Sequence, residues 1–130
     1  MSRGHYLLSA EASFSAAHTL PGVDTCDRMH GHDWRVRLTV RVEENSLDGG
    51  GMALDFRVIE EVTRDVVADF DHRLLNDLDA FAKVSPTAER LARVISDRAR
   101  QRLANRAPGA AVAEVEVWET PQYRVVYRPG

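Results

Sequence analysis

Cysteine is nearly absent: Cys26 is the only one in 130 residues. That excludes an intramolecular disulfide and fits a reducing compartment. An excess of positive charge is missing too. The net charge is −3, which leaves no electrostatic footprint for nucleic acid. No apolar run reaches membrane-spanning length, and no secretory signal is legible. The expectation is therefore a cytoplasmic protein with neither nucleic acid nor membrane as partner. Repeats, low-complexity segments and long linkers are also lacking. The one glycine-rich spot, Gly49-Gly50-Gly51, follows Asn45-Ser46-Leu47-Asp48 and reads as a turn. It has neither the strand-turn-helix context nor the spacing of a nucleotide loop. What is present is 44% hydrophobic residues, enough for one core, so residues 1–130 read as a single domain.

The densest chemistry lies in Cys26-Asp27-Arg28-Met29-His30-Gly31-His32. On a strand, side chains at i and i+2 leave the same face, so His30 and His32 can converge on one ion while Gly31 turns away. Trp34, Val36, Leu38, Val40 and Val42 share their parity, whereas Asp33, Arg35, Arg37, Arg41 and Glu43 take the other. The histidines thus extend an inward apolar row. Upstream, Leu8, Ala10, Ala12, Phe14 and Ala16 form a second such row, closed by His18. If the strands are hairpin neighbours, joined by the loop from Leu20 to Met29, all three imidazoles meet. Buried imidazoles need polar partners, and a shared cation supplies one. Three protein nitrogens with one position left open is the pattern of a catalytic zinc site. His5, in an unpatterned N-terminus, has no comparable case.

Two helices follow. Asp55 can cap the first, whose apolar stripe is Val58, Ile59, Val62, Val66 and Phe70. Ser85 is placed to cap the second, with Pro86 at its first position. Its stripe is Ala88, Leu91, Ala92, Ile95, Ala99 and Leu103, and Ala107-Pro108-Gly109 ends it. Val112–Glu119 and Tyr123–Tyr127 then read as strands separated by a turn. In the first, Ala113, Val115, Val117 and Glu119 share one face, and Glu114, Glu116 and Trp118 the other. The order ββααββ predicts an α+β fold: a four-stranded antiparallel sheet with both helices on one face. Its open edges could be closed by neighbouring copies assembling edge to edge into a barrel.

Cys26 sits in a polar loop beside the histidines. It can act as nucleophile or base, with a thiol pKa lowered by a nearby zinc ion, or close the site as a fourth ligand. Asp71-His72 can form an acid/base pair in which the carboxylate orients the imidazole, or be an ordinary surface pair. Glu119 ends a core-facing row, where a carboxylate needs donors. An amino-pyrimidine edge of a pterin or guanine, or an internal salt bridge, would satisfy it.

Together these residues resemble the 6-pyruvoyl-tetrahydropterin synthase superfamily, whose members adopt the tunnelling fold. The resemblance runs from Phe14-Ser15-Ala16-Ala17-His18-Thr19-Leu20-Pro21 through Cys26–His32 and Leu54-Asp55-Phe56. It continues with Asp71-His72-Arg73-Leu74-Leu75-Asn76, Ser85-Pro86-Thr87-Ala88-Glu89 and Val117-Trp118-Glu119-Thr120. It implies zinc as cofactor with His18, His30 and His32 as ligands, and Cys26, Asp71 and His72 as a catalytic triad. Glu119 would anchor the pterin, with Thr87 near its pocket. Three residues between Cys26 and His30 resemble the 6-carboxy-tetrahydropterin synthase branch of queuosine and deazapurine biosynthesis. That branch implies conversion of 7,8-dihydroneopterin triphosphate to 6-carboxy-5,6,7,8-tetrahydropterin, acetaldehyde and triphosphate. A local cationic pocket must hold the triphosphate, with Arg28 and Lys83 as candidates. The family also implies a homo-oligomer, a dimer of trimers. The pyruvoyl branch, which eliminates triphosphate without carbon–carbon cleavage, and a non-enzymatic zinc- or pterin-binding module stay open as alternatives.

Overall fold

Strands β1 (His5–His18) and β2 (His30–Glu43) form a long antiparallel hairpin in register from His5 opposite Glu43 to His18 opposite His30. The computed structural model describes residues 4–23 and 27–130. Helix α1 (Phe56–Ala68), a two-residue strand β3 (Arg73–Leu74) and helix α2 (Ala88–Arg106) follow. Strands β4 (Ala111–Thr120) and β5 (Tyr123–Tyr127) complete the chain. The sheet order is β3-β1-β2-β4-β5.

Alternation sets the two faces of this sheet. Phe14, Ala16, Trp34, Val36, Leu38, Val40, Val115 and Val117 are all buried, and they pack with the stripes of both helices into one core. Fully burying an apolar side chain of this size contributes about 1.5–3 kcal/mol, so the hairpin's inward row is a principal source of stability. Phe14 and Trp34 lie opposite each other with rings nearly parallel and centroids 6.0 Å apart. The other face is polar yet not bare. Buried Glu116 pairs with Arg37 at 3.3 Å and Arg124 at 2.8 Å, and the Arg35 guanidinium covers Trp118 at 3.9 Å.

Five details depart from the sequence reading. The sheet has a fifth strand: β3 pairs in parallel with Ala16 and Ala17 of β1, too short to show a periodicity. Strand β1 begins at His5, because backbone pairing to Glu43 needs no side-chain pattern. A bulge between Thr39 and Val40 shifts the β2–β4 register; Val112, not Ala113, then takes the buried position. Helix α2 is capped by Thr87, whose Oγ1 accepts the Arg90 amide at 3.2 Å. Ser85 and Pro86 lie outside it, which leaves the Pro86 carbonyl free for another partner. Asp55 does cap α1, accepting the Arg57 amide. That helix ends at Ala68, so Phe70 fills the core from the turn beyond it. Among the described residues no helix is long and apolar enough to cross a membrane.

Candidate metal centre

The β1–β2 register brings the ends of both inward rows together. His18 lies directly opposite His30, and His32 opposite Ala16. The three rings meet edge to face, with centroids 4.5 Å apart for His18 and His30, 5.2 Å for His18 and His32, and 4.9 Å for His30 and His32. One nitrogen from each lies within 4.8 Å of the others. Trp34 forms the floor, edge-on to His18 and His32 at 5.3 and 5.4 Å.

Backbone carbonyls orient two of the rings. His18, 0% exposed, donates Nδ1–H to the Pro86 carbonyl at 2.9 Å, the group released by the late start of α2. The His30 Nδ1 atom lies 2.7 Å from the Arg28 carbonyl. An imidazole that donates from Nδ1 presents a lone pair at Nε2, and such outer contacts are what hold a ligating histidine in its tautomer. The Nε2 atoms of His18 and His32 are buried with no hydrogen-bond partner among the described residues. Buried polar atoms without partners are rare in folded proteins. A shared cation would satisfy both, so the donor set fits a metal ion.

Glu119 flanks this cluster: its Oε1 lies 3.4 Å from His32 Nε2. Burial pushes the His32 pKa down, and the charges of His18 and His30 act in the same direction, while Glu119 opposes them. Neutral imidazole is the form a metal requires. Thr87 is half-buried beside Pro86, with its hydroxyl accepting at the helix cap.

Asp71 and His72, just before β3, are tied to the same end of β1 through Ser15. One Asp71 oxygen accepts the Ser15 amide at 2.9 Å, and the other lies 3.0 Å from His72 Nδ1. These contacts, the Ser15 amide foremost, hold the Asp71 carboxyl below the usual carboxylate range. The His72 amide donates back to the Ser15 carbonyl at 2.6 Å. His72 has φ of +58°, a left-handed conformation uncommon outside glycine. Its ring is 83% exposed and borders an open cleft of about 450 Å³ with Ser15, His32, Asp33 and Arg73. Cys26 lies outside the described residues. Arg28 and Lys83 are both exposed.

The structure thus assembles the three predicted histidines with Glu119, and the predicted Asp-His pair on the neighbouring strand end. Sequence reading missed the carbonyls of Pro86 and Arg28, since a backbone acceptor leaves no residue-type signature. It missed Ser15 for the same reason: its decisive groups are its amide and carbonyl.

An α+β sheet whose hairpin end gathers three histidines and a carboxylate defines a protein built around a candidate metal site. The 6-pyruvoyl tetrahydropterin synthase family model matches residues 7–130. The chain belongs to that family. It is 34% identical over 128 residues to a 6-carboxy-5,6,7,8-tetrahydropterin synthase of Bacillus subtilis, covering 94% of this chain and 84% of that protein. It is 31% identical over 115 residues to a dihydroneopterin monophosphate aldolase of Pyrococcus furiosus, covering 88% and 90%. The fold matches the solved structure of a Caenorhabditis elegans 6-pyruvoyl tetrahydropterin synthase with a TM-score of 0.83, 24% identity and full coverage of both chains.

Proposed function

We propose that the protein converts 7,8-dihydroneopterin triphosphate and water to 6-carboxy-5,6,7,8-tetrahydropterin, acetaldehyde and triphosphate, as a zinc-dependent lyase. The observation that carries this reading is the position of Glu119. A carboxylate 3.4 Å from the His32 Nε2 lets one small substrate touch a pterin-recognising group and the metal site together. Similarity to the Bacillus subtilis enzyme and the three-residue spacer between Cys26 and His30 favour the carboxy product over the pyruvoyl one.

His18, His30 and His32 would hold the zinc, which when bound supplies Lewis acidity toward the substrate's side-chain hydroxyls. The Glu119 carboxylate accepts two hydrogen bonds from the pterin's 2-amino group and adjacent ring nitrogen, which fixes the ring's orientation. Cys26, as thiolate, takes a carbon-bound proton beside the ring. His72 exchanges protons on another face, with Asp71 holding its Nδ1–H and stabilising its protonated form. Thr87 lies near the pterin pocket, and Arg28 or Lys83 contributes to holding the triphosphate. A single domain over 1–130 acts as part of a cytoplasmic homohexamer, a dimer of trimers.

The substrate is tested by supplying the dihydroneopterin mono- and triphosphates separately to purified protein. Turnover of the triphosphate supports this reading. Turnover of the monophosphate alone assigns the chain to the chemistry named for its Pyrococcus furiosus relative.

A further inference from the structure

A strand end frays unless something holds it, and His18 is the last residue of β1. The residue after it, Thr19, is held by a side chain. The Asn76 Oδ1 accepts the Thr19 amide at 2.8 Å, and its Nδ2 donates to the Thr19 carbonyl and hydroxyl, both at 3.1 Å. The Thr19 amide can only donate, which fixes which end of the Asn76 carboxamide faces it. The side chain therefore mimics a peptide group. It stands two register positions beyond Ala17 and Leu74, and so carries on the parallel pairing of Ala16 with Arg73 and Ala17 with Leu74. Asn76 is itself fixed, because Leu75 before it is fully buried in the core. His18 is consequently bracketed. Ala17 before it is paired to β3, Thr19 after it is clamped by Asn76, and its own Nδ1 is bonded to Pro86.

We propose that Asn76 is a positioning residue for the metal site: it fixes the backbone from which His18 aims Nε2 at His30 and His32. This inference rests on the reading of the three histidines as a zinc site. Asparagine suits the task because one short side chain offers both an acceptor and a donor. Aspartate keeps the acceptor for the Thr19 amide and loses the donor to its carbonyl; alanine loses both.

The test uses the full chain with Zn²⁺ and Co²⁺ as probes and compares the parent with Asn76→Ala and Asn76→Asp. A direct outer contact to a ligating histidine is worth about 10–100-fold in metal affinity. Asn76 acts on His18 through Thr19, so its removal should lower affinity by up to that amount. That loss is expected for Asn76→Ala, with a smaller one for Asn76→Asp and a shifted visible spectrum of the Co²⁺ form in both. A lower unfolding midpoint with unchanged Zn²⁺ affinity and an unchanged Co²⁺ spectrum overturns the proposal. Should Asn76→Ala fail to fold, Asn76→Asp decides by the same two readouts. A parent that binds no Zn²⁺ defeats the zinc reading itself. The His18 Nδ1–H resonance then decides only whether Asn76 positions His18: its loss in Asn76→Asp supports that positioning, and its persistence overturns it.

Discussion

The His18 Nδ1 atom lies 2.9 Å from the Pro86 carbonyl, across 68 residues of sequence. This contact joins the end of β1 to the entry of α2, and it decides which nitrogen of His18 is available. A carbonyl oxygen can only accept, so Nδ1 carries the proton and Nε2 the lone pair. The ¹⁵N chemical shifts of the His18 ring should show the Nδ1–H tautomer with or without added metal. A ring that is Nε2–H without metal would contradict the assignment.

On the proposed reading, metal content should depend on the whole histidine set. The expectation is about one zinc per chain in the parent and loss of nearly all of it in a His30→Ala, His32→Ala double variant. Elemental analysis of the two proteins checks this. Unchanged zinc in the double variant would move the site elsewhere.

The proposed function gives Cys26 proton transfer and not metal binding. Cys26→Ala should therefore retain zinc and fold while losing most turnover, as removal of a general base costs about 10²–10⁴-fold. Loss of zinc in this variant would make Cys26 a fourth ligand and the site structural.

Glu119→Gln keeps the size of the side chain and replaces one acceptor oxygen with a donor. Pterin binding should weaken by about 2–4 kcal/mol, the cost of leaving a desolvated polar group mismatched. Calorimetry with a pterin ligand measures this, and zinc content should stay intact. Parent-like affinity would make Glu119 a structural partner of His32.

Acid should act through Asp71. Its carboxyl is held below its ordinary value of 3.8, chiefly by the Ser15 amide. The unit of Ser15, Asp71 and His72 therefore adds stability that is fully present above 3.8 and is lost as pH falls through the lowered value. The unfolding midpoint of the parent should exceed that of Asp71→Asn at neutral pH, and the gap should narrow below 3.8. A gap independent of pH would show that the carboxylate's charge is not what holds this turn.

The parts of the fold that bury one face were legible, because burial leaves a period of two on strands and near 3.6 on helices. The rows ending in His18 and His30 carried the core and the candidate metal site at once. What stayed hidden has no side-chain signature. Strand β3 is two residues of backbone pairing, the bulge at Ala113 breaks a parity by one inserted residue, and the Pro86 carbonyl belongs to a residue chosen for its ring. The start of α2 misled for a related reason. Ser85-Pro86 carries a helix-entry signal, but Thr87 captures the Arg90 amide and starts the helix later.

The most direct measurement of the central claim is the identity of the products formed from 7,8-dihydroneopterin triphosphate by the purified, zinc-loaded protein. Mass spectrometry should find 6-carboxy-5,6,7,8-tetrahydropterin, with acetaldehyde and triphosphate released in equal amounts. A 6-pyruvoyl product without acetaldehyde, or no turnover at all, would contradict it.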